Sequence, residues 1–358
     1  MDKIINMEII NFSQITFWVS NSKQASNYFI TRFGFNPVDH FENINIVRDI
    51  CKLHDIIFVF ESPSMYPPEE MTRYLLKHGD GVKDIAFQVN DCNYVYIQAI
   101  KRGAESVSTP KYIKETDTIQ ATIQTITDIT HTFIQREIKY DDIIDPINRL
   151  LLPIDLKRID HIVTNTDDMK TNVEWYEEML QFKQFWSVDE TVIHTQYSAL
   201  RSTVMTNETE TVKLPINEPA PGLRKSQIQE FLEYNHGSGI QHIALTTSDI
   251  IKTVYNLKQR GVEFLDIPEQ YYDRLESRLK LSGRHIDADM EMLKKLKILL
   301  DFDENGYLLQ IFTKPVTNKP TLFIEIIERH NFDGFGAGNF QSLFECIEME
   351  QIEREKRD

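Results

Sequence analysis

His78-Gly79-Asp80-Gly81-Val82-Lys83-Asp84-Ile85-Ala86-Phe87 returns later in the chain as His236-Gly237-Ser238-Gly239-Ile240-Gln241-His242-Ile243-Ala244-Leu245. Carried on without a gap to Glu105 and Glu263, the two stretches share 9 identical residues in 28. Both read in the same order: a glycine turn, a short apolar strand, a helical stretch and an Arg-Gly stop. Self-similarity of this extent marks two related halves. A second repeat sets Ile15-Thr16-Phe17-Trp18-Val19-Ser20-Asn21 before a helical stretch ending at Phe33-Gly34-Phe35. Its copy sets Ile159-Asp160-His161-Ile162-Val163-Thr164-Asn165 before one ending at Leu180-Gln181-Phe182. Each half therefore holds two strand-helix units. β-rich segments follow them, among them Ile56-Ile57-Phe58-Val59-Phe60 and Tyr307-Leu308-Leu309-Gln310-Ile311-Phe312. The repeating unit is βαβββ, and the expected fold class is α+β: tandem βαβββ modules forming two open β-barrels with outer helices, plus a C-terminal lid helix.

Length and composition agree with a division in two. At 358 residues the chain exceeds one ordinary core, given about 150 residues per domain. The expected limits are an N-terminal barrel over residues 1–140, a linker over 141–157, a second barrel over 158–330, and a hinge with a terminal helix over 331–358. A formal charge of −16 argues against nucleic acid or an anionic membrane as partner, because both reward clustered Lys and Arg. The three cysteines, Cys51, Cys92 and Cys346, lie far apart, so a reducing, cytoplasmic location fits best. Met1 to Phe12 does not have the basic start and long apolar core expected of a signal peptide. Residues 266–297 have no counterpart in the first half and read as two short helices. After Ile327 come the glycines Gly334, Gly336 and Gly338, then an amphipathic helix bearing Phe340, Leu343, Phe344 and Ile347. This pattern suits a lid, or equally a helix that caps an open end of the sheet.

The halves differ where chemistry is concerned. Asp84 in the first is His242 in the second, so only the second half carries a good transition-metal ligand there. His161 lies in the other repeat strand of the same half, so both histidines open the first strand of a βαβββ unit. Equivalent places in paired modules can converge on one point. Glu325 sits within Thr321-Leu322-Phe323-Ile324-Glu325-Ile326-Ile327. A carboxylate in so apolar a strand needs a cation or a metal, unless the strand is an edge and Glu325 faces water. Two imidazoles and one carboxylate form the facial triad of non-haem Fe(II) oxygenases. Gln241 adjoins His242 but points to the opposite face of a regular strand. It reaches the same pocket only through a twist or bulge.

Longer motifs carry a resemblance. Phe185-Trp-Ser-Val-Asp189, Pro215-Ile-Asn-Glu-Pro-Ala-Pro221, Lys225-Ser-Gln-Ile-Gln229, Gly239-Ile-Gln-His-Ile-Ala-Leu245, Gly306-Tyr-Leu-Leu-Gln-Ile-Phe-Thr-Lys-Pro315 and Gly334-Phe-Gly-Ala-Gly-Asn-Phe340 closely resemble the 4-hydroxyphenylpyruvate dioxygenase family. The likeness runs from about Phe12 to Arg354. It implies a vicinal-oxygen-chelate architecture with one Fe(II) per chain, held by His161, His242 and Glu325. In the first half Phe17 and Asp84 would stand where the histidines are. The resemblance further implies that Ser202, Asn217, Gln227, Gln241 and Gln310 hold the substrate, with Phe312 and Phe340 sandwiching its ring. By the same resemblance, Phe335 and Asn339 would line that cavity. Arg354 matches an arginine near the pocket mouth, although the family continues beyond it with Gly-Asn-Leu and this chain with Glu355-Lys-Arg-Asp358. The implied partners are 4-hydroxyphenylpyruvate and O2, and the implied assembly is a homodimer. Two rivals remain: a 4-hydroxymandelate synthase, which oxidises the benzylic carbon, and a metal-free binding relative. The segments around Pro215 and Phe312 favour ring attack, and the intact triad disfavours a metal-free module.

Overall fold

The computed structural model describes residues 9–140, 144–188, 199–222, 225–336, 338–339 and 347. Four βαβββ modules follow one another. The first comprises β1 (Ile9–Trp18), α1 (Ser22–Phe33), β2 (Asn36–Glu42), β3 (Ile46–Leu53) and β4 (Ile56–Pro63). Helix α2 (Glu69–His78) leads to the second: β5 (Gly81–Val89), α3 (Cys92–Lys101), β6 (Glu105–Ile113), β7 (Thr118–Gln124) and β8 (Thr130–Gln135). The third has β9 (Leu156–Asn165), α4 (Met169–Leu180), β10 (Lys183–Val188), β11 (Ala199–Thr206) and β12 (Lys213–Ala220). After α5 (Gln227–Asn235) the fourth has β13 (Gly239–Thr247) and α6 (Ile250–Gln259). The insertion helices α7 (Glu269–Ser282) and α8 (Met290–Leu296) precede its last strands, β14 (Leu299–Phe302), β15 (Tyr307–Phe312) and β16 (Phe323–His330). Helix α7, with 14 residues, is longer than the sequence led us to expect. No helix among the described residues is long and apolar enough to cross a membrane.

Local chemistry sets the helix starts. Asn21, Asp91, Asp168 and Asp249 each accept a backbone N–H three residues on. Such a cap is worth about 1 kcal/mol. Val173, Tyr176 and Leu180 of α4, and Val254 and Leu257 of α6, are buried.

Each half curls into one eight-stranded sheet, ordered β2-β3-β4-β1-β5-β8-β7-β6 and β10-β11-β12-β9-β13-β16-β15-β14. In both, the first strands of two modules pair antiparallel at the centre. The register corrects one reading of the repeat. Ala244 faces His161 and His242 faces Val163 in the second sheet, whereas Ala86 faces Gln14 and Asp84 faces Thr16 in the first. Gln14, and not Phe17, therefore takes the place of His161. The sequence match had set Asn21 opposite Asn165, but the equivalent helix caps are Asn21 and Asp168. Phe17 instead packs in the first core, stacked on Phe60 at 4.9 Å and edge-on to Phe58 at 5.1 Å.

One continuous apolar core joins the halves. Phe87 approaches Phe182 with ring centres 6.2 Å apart. Fully buried His131 lies between Ile85 and α4, its Nδ1 3.0 Å from the Ile85 carbonyl and its Nε2 2.9 Å from the Tyr176 hydroxyl. Asn207 of the second half donates to the Ile9 carbonyl at 2.7 Å.

Candidate metal centre

Three adjacent strands carry the three candidate ligands. Across β9, β13 and β16, His161, Ala244 and Glu325 stand in one row, and His242 lies two residues before Ala244 on the same face. Period-two alternation places Ile243, Leu245, Ile324 and Ile326 on the opposite face, where they join the main core. Ala244 at the middle of the row leaves space between the longer side chains. The candidate ligand atoms of His161, His242 and Glu325 all lie within 4.8 Å of one another. His161 Nε2 is 3.1 Å and His242 Nε2 3.4 Å from Glu325 Oε2. All three residues are buried.

Two bulges orient the imidazoles. The β9–β13 register skips Asp160, between Ile159 and His161, and skips Gln241, between Ile240 and His242. A bulge inserts one extra residue and turns the strand, so the residue before each histidine swings round to its ring. Asp160 Oδ2 accepts from His161 Nδ1 at 2.7 Å, and Gln241 Oε1 from His242 Nδ1 at 3.0 Å. Gln241 in turn donates to Gln227 Oε1 at 3.2 Å. With Nδ1 engaged, each Nε2 is free to act as a ligand, the arrangement usual for metal-binding histidines.

Electrostatics favour a cation. Burial alone would lift the Glu325 carboxyl, but His161 and then His242 outweigh it and hold Glu325 at about 2. Burial also opposes ionisation of Asp160, yet His161 and Arg329 keep it well below the usual carboxylate range. Burial lowers His242, and the Glu325 carboxylate only partly offsets this. For His161 the charges of Glu325 and Asp160 overcome burial and raise it. An ionised carboxylate and two inward-facing imidazole nitrogens, in a buried site, fit a divalent transition metal.

Rings and amides surround the centre. His242 stacks on Phe323 at 4.8 Å and meets Phe312 edge-on at 6.2 Å, while His161 meets Phe335 edge-on at 5.2 Å. Phe312 pairs directly with Glu325 across β15 and β16. Ser202 and Asn217 face each other across β11 and β12, and Asn217 Nδ2 donates to Asn165 Oδ1 at 3.4 Å. Four buried side-chain atoms have no hydrogen-bond partner among the described residues, and three of them belong to amides of the second half: Asn165 Nδ2, Gln310 Oε1 and Asn339 Nδ2. Such atoms cost free energy unless a ligand meets them. A cleft of about 430 Å³, counted out to its open mouth, lies beside Gln227, Gln241 and Phe323.

The insertion supports this region. The Tyr271 hydroxyl of α7 accepts the Leu300 N–H at 2.8 Å and stands 2.8 Å from Asn339 Oδ1. Asp301 accepts the Gly338 N–H at 2.9 Å. Gly336 has φ +74°, a conformation that favours glycine, and a Cβ there would press on the Gln310 amide and displace it. β16 ends at His330. Phe340 and Arg354, and most of the expected lid helix, lie outside the described residues.

Sequence reasoning missed four neighbours of the centre: Asp160, Asn165, Phe323 and Arg329. Phe323 was within reach, two residues before Glu325 and so on the same face. The bulge that makes Asp160 a partner of His161 leaves no mark in composition.

Comparison with known proteins places these features in a family. A profile of the Glyoxalase/Bleomycin resistance protein/Dioxygenase superfamily matches residues 158–311. The curated 4-hydroxyphenylpyruvate dioxygenase of Dictyostelium discoideum is 46% identical over 96% of this chain and 98% of its own length. That of Xenopus tropicalis is 47% identical over 96% and 92%. Among solved structures, a mutant of 4-hydroxymandelate synthase from Streptomyces coelicolor matches with a TM-score of 0.82 at 26% identity, covering 96% of this chain and 100% of that one. An Mn(II)-bound glyoxalase from Novosphingobium aromaticivorans, at 12% identity and a TM-score of 0.52 over 92% of this chain and 86% of its own, shares the fold alone.

Proposed function

We propose that this chain, which belongs to the 4-hydroxyphenylpyruvate dioxygenase family, converts 4-hydroxyphenylpyruvate and O2 to homogentisate and CO2. Its cofactor in this reading is one Fe(II), held by His161, His242 and Glu325. The observation that carries the proposal is the buried His-His-Glu cluster on three adjacent strands. Fe(II) supplies open coordination positions for the 2-oxo acid and the electrons that activate O2.

The protein's part is to bind, orient and exclude water. Phe312 and Phe335 flank the histidines and offer apolar walls to an aromatic ring. Phe340 completes the ring sandwich by family resemblance. Asn339 Nδ2 is an unpartnered donor for a phenol or carboxylate oxygen, and Gln310 Oε1 an unpartnered acceptor for a phenol O–H. Ser202 and Asn217 on β11 and β12, with the Gln227–Gln241 pair between α5 and β13, add polar contacts. Holding the ring against these walls directs oxidation to the ring carbon bearing the side chain, which a 1,2-shift then converts to homogentisate. Residues 1–140 act as scaffold, 141–157 as linker, 158–330 as the working barrel and 331–358 as the closing segment, with Arg354 near the mouth. A cytoplasmic homodimer is part of the same proposal.

Metal analysis of single variants tests the ligand set. His161→Ala, His242→Ala and Glu325→Ala should each lose bound Fe(II), and Asp84→Ala should keep one equivalent per chain. A full equivalent of active iron in His242→Ala would sink the assignment. Benzylic oxidation, as in 4-hydroxymandelate synthase, is the competing outcome. Identities of 46–47% to the dioxygenases, against 26% to the synthase, favour ring attack.

A further inference from the structure

We infer that Asp160 and Arg329 are positioning residues of the centre, tying the ligand His161 to the turn that carries Phe335. The inference rests on the reading of His161 as a metal ligand. Its basis is a chain of short contacts through buried groups. Asp160 accepts from His161 Nδ1 through Oδ2 at 2.7 Å. Arg329 grips the same carboxylate with two nitrogens, Nε to Oδ1 at 2.9 Å and Nη2 to Oδ2 at 2.8 Å. The remaining terminal nitrogen, Nη1, donates to the carbonyls of Phe332 at 3.0 Å and Gly334 at 2.6 Å. Its guanidinium also lies 5.5 Å from the ring centre of Phe335, which meets His161 edge-on. One guanidinium therefore fixes a carboxylate on β9 and the loop leaving β16 together, in the forked geometry that arginine alone provides.

The two histidines are supported unequally. Both follow a bulged residue whose side chain accepts a hydrogen bond from Nδ1, but His161 has an ionised carboxylate and His242 a neutral amide. An anionic partner makes an imidazole a stronger donor to metal at Nε2. His161 is then the tighter of the two nitrogen ligands, and its orientation depends on Arg329. Because Arg329 also holds the 332–334 turn, movement of Phe335 and movement of the His161 ring are coupled through it. Among the described residues of the first half this device has no counterpart, since Ser13 occupies the bulge equivalent to Asp160.

The test uses Co(II) in the metal-free full-length protein, read by its visible absorption, so that metal affinity is measured apart from turnover. Asp160→Asn, which keeps the shape and removes the charge, should weaken Co(II) binding by about 10- to 100-fold. Asp160→Glu should recover part of that loss. Arg329→Met should weaken Co(II) binding less and should raise hydrogen exchange across residues 331–336, which Asp160→Glu leaves nearly unchanged. A single variant strands one buried charge, so the paired variant Asp160→Asn with Arg329→Gln provides a neutral comparison if either single variant fails to fold. It should fold, bind Co(II) weakly and exchange faster at 331–336. Unchanged Co(II) affinity in Asp160→Asn or in the folded pair, or unchanged exchange in Arg329→Met or in the pair, would overturn the inference. Failure of the unmutated protein to bind Co(II) through His161 would instead overturn the metal-centre reading beneath it.

Discussion

Replacing His131 by glutamine should change how stability depends on pH, and by an amount that the structure sets. His131 is fully buried at the junction of the halves, and burial pushes its pKa from an ordinary 6.5 down to about 4, with only the Ile85 carbonyl opposing the shift. The folded state thus prefers the neutral ring. Its stability is complete above pH 6.5 and falls as the pH drops towards 4. At about 1.4 kcal/mol per pH unit, acidification across that window costs about 3 kcal/mol. Asp84 acts in the opposite sense. Burial lifts its carboxyl from 3.8 to about 7, although Thr130 and Thr132 donate to it at 2.6 and 2.9 Å. The folded state prefers the protonated acid, so acidification from pH 7 towards 3.8 adds about 4 kcal/mol by the same conversion. Between pH 7 and 4 the two groups nearly cancel in the unmutated protein. His131→Gln removes the loss, so its stability at pH 4 relative to pH 7 should exceed that of the parent by about 3 kcal/mol. Asp84→Asn removes the gain and should fall behind the parent by a similar margin. Chemical denaturation followed by circular dichroism at pH 7, 5.5 and 4 measures both. If all three proteins keep parallel pH profiles, the account of His131 and Asp84 as buried, perturbed groups is wrong.

Three further outcomes follow from the site. Ala244→Leu sets a large side chain between His161 and Glu325 and should abolish metal binding, with a packing penalty of about 1–3 kcal/mol, as metal titration and thermal unfolding would show. Gly336→Ala should lower turnover, because its Cβ would press on Gln310 Oε1 at a positive φ that alanine adopts at a cost of about 1 kcal/mol. Steady-state kinetics with metal content held equal checks it. Phe312→Val should cut turnover and divert part of the flux to 4-hydroxymandelate or unrearranged hydroxyphenylacetate, which chromatography of the products reads directly.

Much of the fold was legible because the repeats are physical. Two strand-helix units per half made the βαβββ module readable, and the Asp84-to-His242 exchange set the second half apart. Glu325 stood out because an ionised group in an apolar strand needs a partner. What escaped was register. A three-residue offset in the weaker repeat put Phe17 where Gln14 belongs, since the helix cap and not the strand sequence marks equivalence. The bulge at Asp160 escaped for a related reason, and at Gln241 the sequence showed only that a twist or bulge was needed: period-two alternation assumes a regular strand, and an inserted residue reverses every side chain beyond it. The role of α7 was hidden because Tyr271 reaches Asn339 only in three dimensions.

The most direct measurement is product identification. The protein, loaded with one equivalent of Fe(II), is supplied with 4-hydroxyphenylpyruvate under O2, and the aromatic product is resolved by liquid chromatography and mass spectrometry. Homogentisate, formed one for one with CO2 and absent when Glu325→Ala replaces the parent, is the expected result. 4-Hydroxymandelate as the main product, or homogentisate formed equally well by Glu325→Ala, would contradict it.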